Sequence, residues 1–186
     1  MKELCDLTYG IVGLGLMGGS LAKAIRANVI ECGTKCGSGK IFGSDINAAS
    51  LGKAKEQKVI DEGFTAGQTD EMLRQCDFVY ICLYPHATVD FVKQYENSFK
   101  PGAVISDISG VKKIILEAAE QIGRKDIHFI PGHPMAGSEG EGYSQSDGNV
   151  FKNHNYILMP LADTDKNALE LFKSLITAMG FTRIVE

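Results

Sequence analysis

Short apolar runs alternate along the chain with segments whose apolar residues recur every three or four positions. Runs of the first kind are typical of strands, and segments of the second kind are typical of helices. Strands are predicted at residues 9–12, 40–45, 77–83, 103–107, 128–130, 156–160 and 181–185. Helices are predicted at residues 48–57, 69–75, 87–95, 111–122 and 164–179, and a first helix follows residue 18. This alternation predicts an α/β fold with a mostly parallel sheet and helices on both faces.

The first predicted strand, residues 9–12, runs directly into a turn with glycine at positions 13, 15 and 18. Gly13 is expected to form the turn, and Gly15 to leave room for a pyrophosphate against bare backbone. Gly18 is expected to let the next helix pack closely on the strand, with the helix N–H groups facing the phosphates. This unit predicts a doubly wound dinucleotide-binding domain of the Rossmann type, and the alternative is a turn that serves only packing.

Asp45 ends the second predicted strand. A carboxylate at this place accepts hydrogen bonds from the adenosine ribose hydroxyls and repels a 2′-phosphate, which favours NAD over NADP. The separation of Gly13 and Asp45 is longer than the usual spacing of about 20 residues, and the Gly/Cys-rich loop at 31–40 accounts for the excess. The alternative is that Asp45 only caps the helix that begins near Asn47.

Ligands of such folds lie beyond the carboxyl ends of the parallel strands, so the end of the strand at 77–83 is expected to line the cofactor cleft. His86, just beyond it, is interpreted as a solvated loop histidine. The predicted cofactor-binding residues are Gly13, Leu14, Gly15, Leu16, Met17, Gly18, Asp45, Leu83, Tyr84 and Pro85.

Ser109 and Lys112 lie at the start of the helix predicted at 111–122, which begins at the same edge of the sheet. Ser109 has the position of a helix N-cap, and the same position would also present its hydroxyl to a bound nicotinamide or substrate. Lys112 in the first turn opposes the helix dipole, which indicates a functional role, and the alternative is a solvated lysine.

His133 lies in a segment rich in glycine and proline, residues 131–140, which follows a predicted strand. This composition predicts an irregular, rigid turn, in which a histidine is well placed as a general base or hydrogen-bond partner. The alternative is a structural histidine. Residues 141–155 are polar and are predicted to form a long loop over the site.

Length and composition fit one domain that acts on a small molecule. The chain has 186 residues, of which 44% are hydrophobic, and this suffices for one α/β core. The formal net charge of −4, with acids and bases interleaved, argues against a nucleic-acid surface or a membrane surface. The N-terminus has no signal-peptide core, and no run approaches about 18 apolar residues, so a cytoplasmic location is expected.

The five cysteines have irregular spacing and do not resemble the disulfide framework of a secreted protein. Cys32 and Cys36 lie in a glycine-rich loop, but no second pair of ligands has a matching spacing. No metal site is therefore expected.

Four segments, in order along nearly the whole chain, resemble the prephenate dehydrogenase family. They are GLGLMGGSLA at 13–22, GSD at 43–45, SDISGVK at 106–112 and HPMAGSE at 133–139. The last segment is the most specific, because the glycine pattern of the first is shared by all Rossmann enzymes.

The resemblance implies oxidative decarboxylation of prephenate to 4-hydroxyphenylpyruvate with NAD or NADP, on the way to tyrosine. It implies that His133 hydrogen-bonds the ring hydroxyl of the substrate and takes its proton as a neutral base, while hydride leaves the same carbon. Ser109 is assigned to the catalytic residues, and Ser138, Glu139 and Lys112 are assigned to the substrate side.

The chain departs from the family pattern in two ways. A serine that often precedes the Val-Lys pair and acts beside the histidine is replaced by Gly110, so either Ser109 takes over or the contact is absent. The family also has a helical domain that forms a homodimer interface and supplies an arginine for the ring carboxylate. Residues 1–186 are all assigned to the dinucleotide-binding domain, so the chain is either a fragment or a short variant with an open pocket.

Three alternatives stay open. A related branch of the family acts on arogenate. Dehydrogenases of the β-hydroxyacid class share the Gly-Leu-Gly-x-Met-Gly opening but resemble this chain less downstream. A cofactor-binding module without activity of its own would keep the Rossmann half and lack the catalytic half.

Overall fold

The computed structural model describes residues 2–32 and 37–186. Within these residues, six short strands form a parallel sheet in the order β3-β2-β1-β4-β5-β6. The strands are β1 (Thr8–Val12), β2 (Lys40–Ser44), β3 (Glu62–Phe64), β4 (Phe78–Ile81), β5 (Val104–Asp107) and β6 (His128–Phe129). The order reverses between β1 and β4, which opens a crevice at the carboxyl ends of these strands. The predicted Rossmann-type fold is confirmed.

Helices cover both faces of this sheet. They are α1 (Leu16–Ile25), α2 (Ala48–Glu56), α3 (Thr69–Leu73), α4 (Pro85–Tyr95), α5 (Lys113–Glu120) and α6 (Lys166–Ala178). Successive residues of β4 belong to different clusters, because side chains alternate along a strand. Tyr80 packs in the cluster that contains Leu21 and Phe172, and Val79 packs in the cluster that contains Phe91 and Ile115.

A smaller sheet follows, with β7 (Gly132–Pro134), β8 (Asn155–Leu158) and β9 (Arg183–Val185) in that order. Strand β8 is antiparallel to β7 and parallel to β9. Phe172 of α6 joins the two sheets, because its ring centroid lies 5.0 Å from that of Phe78 and 5.7 Å from that of Tyr156. The prediction of an irregular turn at 131–140 was wrong in its first residues, since His133 lies on β7.

Several element boundaries differ from the prediction for local reasons. Strand β4 ends at Ile81, and α4 already begins at Pro85, which is suited to a first helical position because it needs no N–H partner there. Helix α5 begins at Lys113 rather than at residue 111. Strand β3 was not predicted, because its three residues have a glycine at their centre.

Residues 143–148 pack along α1, whereas residues 141–155 were predicted to form a long loop over the site. The N–H of Asp147 donates to Ser20 Oγ at 2.9 Å, and Lys23 Nζ donates to the carbonyl of Ser146 at 2.8 Å. The segment also contains a short helical turn, Tyr143–Gln145. In the described part of the chain, no helix has the length and apolar character that crossing a bilayer requires.

Candidate active site at the carboxyl ends of the parallel strands

The glycine-rich turn joins β1 to α1 with no space for side chains at two positions. Gly13 has φ of +88°, and a Cβ there would lie 2.7 Å from the carbonyl oxygen of Cys82. A Cβ at Gly18 would lie 1.9 Å from the carbonyl oxygen of Gly13. Helix α1 can therefore begin directly against the end of β1 because both positions are glycine.

Gly15 differs from the other two glycines, because no atom lies within 4 Å of the place where its Cβ would be. Gly15 is the N-cap of α1, and no side chain among residues 2–32 and 37–186 caps the first turn. The unpaired N–H groups of a helix start favour phosphate oxygens. Open space over bare backbone at this place fits the pyrophosphate of a dinucleotide.

Asp45 connects the end of β2 to the same turn. Its Oδ2 accepts a hydrogen bond from the N–H of Leu14 at 2.6 Å, and its Oδ1 accepts one from the N–H of Asn47 at 2.7 Å. The N-cap of α2 is Asn47, whose side chain accepts from Ala49 and Ser50. The interpretation of Asp45 as a mere cap of α2 was therefore wrong. Its half-buried carboxylate lies where the ribose of a dinucleotide is expected.

The residues after β4 border the turn to different degrees. Leu83 Cδ2 would lie 3.2 Å from a Cβ at Gly13, so Leu83 is in contact with the turn. Tyr84 is exposed, and Pro85 opens α4. Cys82 was not predicted at this site, although its backbone packs against Gly13 and its Cβ against Gly18. The predicted cofactor contacts of Leu83, Tyr84, Pro85, and of Leu16 and Met17 in the first turn of α1, stay predictions.

His133 is held by the loop that follows β5. Its Nδ1 atom lies 3.0 Å from the carbonyl oxygen of Ile108. Because a carbonyl only accepts, Nδ1 must carry the proton of the neutral ring, which leaves Nε2 as an acceptor. A Cβ at Gly110 would lie 3.4 Å from Cε1 and 3.5 Å from Nε2, so the ring edge faces the bare backbone of Gly110. A general base needs an imidazole held in one orientation with a free acceptor nitrogen. The catalytic role of His133 stays a prediction.

Ser109 lies between the two residues that contact the His133 ring. Its prediction as the N-cap of α5 was wrong, because the N-cap position is held by Lys112. The N–H of Ser109 donates to Asp107 Oδ2 at 2.9 Å. Its buried hydroxyl has no hydrogen-bond partner within the described ranges. The catalytic assignment of Ser109 stays a prediction.

Lys112 is buried, so the alternative of a solvated lysine was wrong. Its Nζ lies 2.7 Å and 2.6 Å from the two carboxylate oxygens of Asp107, and it also donates to the carbonyl of Gly132. Burial lowers the pKa of Lys112, and the carboxylate of Asp107 opposes that shift. Because these protein acceptors occupy the ammonium group, the structure does not place Lys112 for a contact with substrate.

Ser138 and Glu139 follow β7 and are exposed. Their assignment to the border of the substrate pocket stays a prediction. The Cys32/Cys36 pair is not described, because Cys36 lies outside the described residues.

A sequence model described as "Prephenate dehydrogenase, nucleotide-binding domain" matches residues 22–185. The chain belongs to the prephenate dehydrogenase family. The prephenate dehydrogenase of Bacillus subtilis (strain 168) is 32% identical over 180 residues, which are 95% of this chain and 45% of that protein. The chain thus spans about half the length of this curated family member.

Two solved structures have the same fold. Prephenate dehydrogenase from Aquifex aeolicus, in complex with hydroxyphenyl propionate and NAD+, superposes with a TM-score of 0.84 at 32% identity. The superposition covers all of this chain and 61% of that chain. Arogenate dehydrogenase from Synechocystis gives a TM-score of 0.84 at 27% identity and covers 97% of this chain and 59% of the other.

Sequence reasoning missed Asp107, Ile108 and Gly132, which contribute to the surroundings of His133. Asp107 carried a usable signal, because it ends a parallel strand in the same way as Asp45. Ile108 and Gly132 act through backbone atoms, and side-chain chemistry gives no signal for such contacts.

Proposed function

We propose that this chain binds NAD and supplies the catalytic base of a prephenate dehydrogenase, which converts prephenate to 4-hydroxyphenylpyruvate and carbon dioxide. The observation that carries the proposal is the His133 ring, whose Nδ1 is held by the carbonyl of Ile108. Strands β1 and β5 are parallel, so this ring and the glycine-rich turn lie at the same edge of the sheet. A base beside a dinucleotide site suits the oxidation of an alcohol.

The cofactor is held by backbone more than by side chains. The space over Gly15 and the start of α1 accept the pyrophosphate, and Asp45 accepts hydrogen bonds from the adenosine ribose. The charge of Asp45 repels a 2′-phosphate, which supports NAD in preference to NADP. NAD, when bound, supplies the group that accepts hydride.

His133 takes the proton from the hydroxyl on the substrate ring through Nε2, while hydride leaves the carbon that carries this hydroxyl. The bond from the ring to its carboxylate then breaks and releases carbon dioxide, and its electron pair makes the ring aromatic. The resulting phenolate oxygen takes back a proton from His133. The Ser109 hydroxyl donates a hydrogen bond to the same oxygen and orients it.

The proposed roles of His133 and Ser109 concern the part of the substrate that prephenate and arogenate share, which is the ring with its hydroxyl. The likeness to an arogenate dehydrogenase supports arogenate as the second candidate substrate. The two differ only in the side chain, where arogenate has an amino group in place of the keto group. Parallel assays with both substrates decide between them.

The remaining substrate contacts are proposed to come from a helical domain of the family type, with an arginine for the ring carboxylate. This proposal includes the homodimer formed through that domain and a cytoplasmic location. Sedimentation of the chain with and without such a domain, and fractionation of cells that produce it, test these two points.

The proposed function is tested by mixing the purified chain with NAD and prephenate and following reduced nicotinamide by absorbance and 4-hydroxyphenylpyruvate by chromatography. Equal amounts of both products are expected, from the chain alone or after a helical domain of the family is added in trans. Binding of NAD with no product in either mixture would indicate that the chain is a cofactor-binding module without activity of its own. This result would overturn the proposal.

A further inference from the structure

The proposed chemistry leaves one buried ion pair without a role. Asp107 is 0% exposed and Lys112 is 8% exposed, and the Lys112 ammonium contacts both oxygens of the carboxylate. Removing two charges from water is costly, and a buried pair adds stability only when its other hydrogen bonds are also satisfied. The other hydrogen bonds of Asp107 and Lys112 therefore indicate the role of the pair.

Both polar groups of the Gly132 backbone bond to this pair. Gly132 occupies a non-hydrogen-bonded position of the β7–β8 ladder, because Pro131, one residue earlier, accepts from the N–H of Met159 at 2.9 Å. The N–H and C=O of Gly132 therefore point away from β8. Asp107 Oδ1 accepts from that N–H at 3.3 Å, and Lys112 Nζ donates to that carbonyl. The Asp107–Lys112 pair thus makes the two backbone hydrogen bonds that a neighbouring strand would make with Gly132, the residue before His133.

The same carboxylate holds the peptide group that contacts the imidazole. The N–H of Ser109 donates to Asp107 Oδ2 at 2.9 Å. The carbonyl of Ile108 belongs to the same peptide group and accepts from Nδ1 of His133 at 3.0 Å. Asp107 thus fixes the orientation of the Ile108 carbonyl, which determines which ring nitrogen of His133 is protonated.

The space around Gly132 has no room for a side chain. A Cβ at Gly132 would lie 2.8 Å from the Tyr156 ring and hydroxyl and 3.0 Å from Ser106 Oγ. At Gly132, the backbone of β7 therefore packs closely on Tyr156 and is hydrogen-bonded to Asp107 and Lys112 at the edge of the strand.

We propose that the Asp107–Lys112 pair positions His133, by fixing both the backbone before it and the carbonyl that binds Nδ1. The proposal rests on the proposed function, in which Nε2 of His133 is the proton acceptor. Without the pair, the Ile108 peptide group and strand β7 are no longer held at a fixed distance and orientation to each other. The His133 ring then also populates the tautomer that carries its proton on Nε2. In that tautomer Nε2 cannot accept a proton from the substrate.

The test removes both charges at once, because a single substitution would leave a buried charge without a partner and would threaten folding. The variant is Asp107→Asn/Lys112→Met. The two carboxylate oxygens of Asp107 accept from different N–H groups, of Ser109 and of Gly132, so the asparagine amide can keep only one of these two bonds, and the bonds of Lys112 are lost.

The matched control is Asp163→Asn/Lys125→Met, which makes the same change in an exposed pair whose atoms are 3.5 Å apart. Long-range proton–nitrogen NMR of the imidazoles gives the tautomer of His133, and steady-state kinetics with NAD and prephenate give kcat and KM.

In the folded Asp107→Asn/Lys112→Met variant we expect a substantial Nε2-protonated fraction and a kcat lower by about 10²-fold, as for a misplacement of about 1 Å. The affinity for NAD is expected to stay as in the unchanged chain, and the control is expected to match the unchanged chain in every readout. A wild-type tautomer and kcat in the folded variant would overturn the proposal.

A measurement on the unchanged chain keeps the proposal testable if the variant does not fold. There the neutral His133 ring must carry its proton on Nδ1, and a spectrum showing it mainly on Nε2 would overturn the proposal without any substitution. The NMR result is independent of turnover. Lack of turnover by the unchanged chain both alone and with the added helical domain would therefore contradict the proposed function, whereas an unaltered tautomer in the folded variant would contradict the positioning role.

Discussion

The Nδ1 atom of His133 lies 3.0 Å from the carbonyl oxygen of Ile108, and this contact joins strand β7 of the small sheet to the end of β5 in the main sheet. Without it, the imidazole itself would have no hydrogen bond to the main sheet. With it, the imidazole is fixed at the edge of the sheet that holds the glycine-rich turn, where the dinucleotide is proposed to bind. The contact also leaves Nε2 as the acceptor.

Substitutions of Gly15 and Gly18 should affect different properties: cofactor affinity in the first case and the stability of the fold in the second. Gly15→Ala adds a methyl group in open space at φ −81° and ψ −153°, which alanine also adopts, so stability should not change. The methyl group occupies the pyrophosphate space, and NAD should bind at least about tenfold more weakly, or about 1.4 kcal/mol. Gly18→Ala should instead destabilise the fold by about 1–3 kcal/mol through overpacking.

Thermal unfolding and calorimetric titration with NAD measure these two effects. Unchanged NAD affinity in Gly15→Ala would show that the pyrophosphate does not lie over this residue.

Asp45→Asn should relax the preference for NAD over NADP. The amide keeps an acceptor for the N–H of Leu14 but no longer repels a 2′-phosphate and forms weaker bonds with the ribose. Charge-assisted hydrogen bonds contribute about 1.5–3 kcal/mol, so NAD affinity should fall roughly 10- to 100-fold. Titration of both cofactors gives the ratio of dissociation constants.

The matched control for this experiment is Asn47→Ala. It removes the N-cap of α2, which should lower the free energy of unfolding by about 1 kcal/mol, and it leaves the carboxylate of Asp45 in place. The ratio of NAD to NADP affinity should then stay as in the unchanged chain. The role assigned to Asp45 is wrong if both variants shift that ratio equally.

The hydroxyl of Ser109 should contribute to activity but not to stability. Its oxygen is buried without a partner in the described part of the chain, so Ser109→Ala should leave the free energy of unfolding unchanged or slightly raised. Activity should fall roughly 10- to 100-fold with the loss of a hydrogen bond to a charged oxygen.

Adding a hydroxyl at the neighbouring position should restore part of this activity. A Cβ at Gly110 would lie 3.5 Å from Nε2 of His133, which is ordinary contact, so Ser109→Ala/Gly110→Ser has space for the new side chain. Ser109→Ala/Gly110→Ala is the control without a hydroxyl. Full kcat in Ser109→Ala would contradict the role of Ser109.

Asp77 lies at the opposite edge of the sheet, and it should make the stability of the fold depend on pH. Burial by itself raises the pKa of Asp77, but hydrogen bonds from Lys100 and from the N–H of Thr8 outweigh it and lower the pKa below 3.8. The ionised carboxylate therefore stabilises the fold above about pH 3.8, and this stabilisation is lost as the pH falls through the folded-state pKa.

Asp77→Asn should accordingly destabilise the chain by about 1 kcal/mol at pH 7, since the lost bonds are charge-assisted and partly exposed. Urea unfolding at several pH values should show the difference between variant and unchanged chain shrinking below about pH 3.8. A difference that is constant with pH would show that the carboxylate charge is not involved.

The parts of the fold that local patterns determine were predictable. The run from β1 through the glycine turn into α1 carries its strand, turn and helix signals within 17 residues, Tyr9 to Ile25. The same holds for Asp45 at the end of β2 and for the apolar stripe of α6, where Phe172, Leu175 and Ile176 are buried.

The surroundings of His133 depend on contacts between distant segments and were not predictable in the same way. Strand β7 is three residues long, and it exists because it pairs with β8, more than 20 positions later. Lys112 follows a strand in a region where lysine is normally solvated, and only the carbonyl of Gly132 and the carboxylate of Asp107 explain its burial. Such pairings leave no periodic signal in the sequence.

The most direct test of the proposed function compares the unchanged chain with His133→Ala in a reaction with NAD and prephenate, with a family helical domain added in trans if the chain alone is silent. We expect reduced nicotinamide to appear with the unchanged chain and its rate to fall by about 10²–10⁴-fold in the variant, as for loss of a general base. The dissociation constant for NAD should be the same in both. A variant that keeps most of its activity would contradict the assignment of His133 as the base.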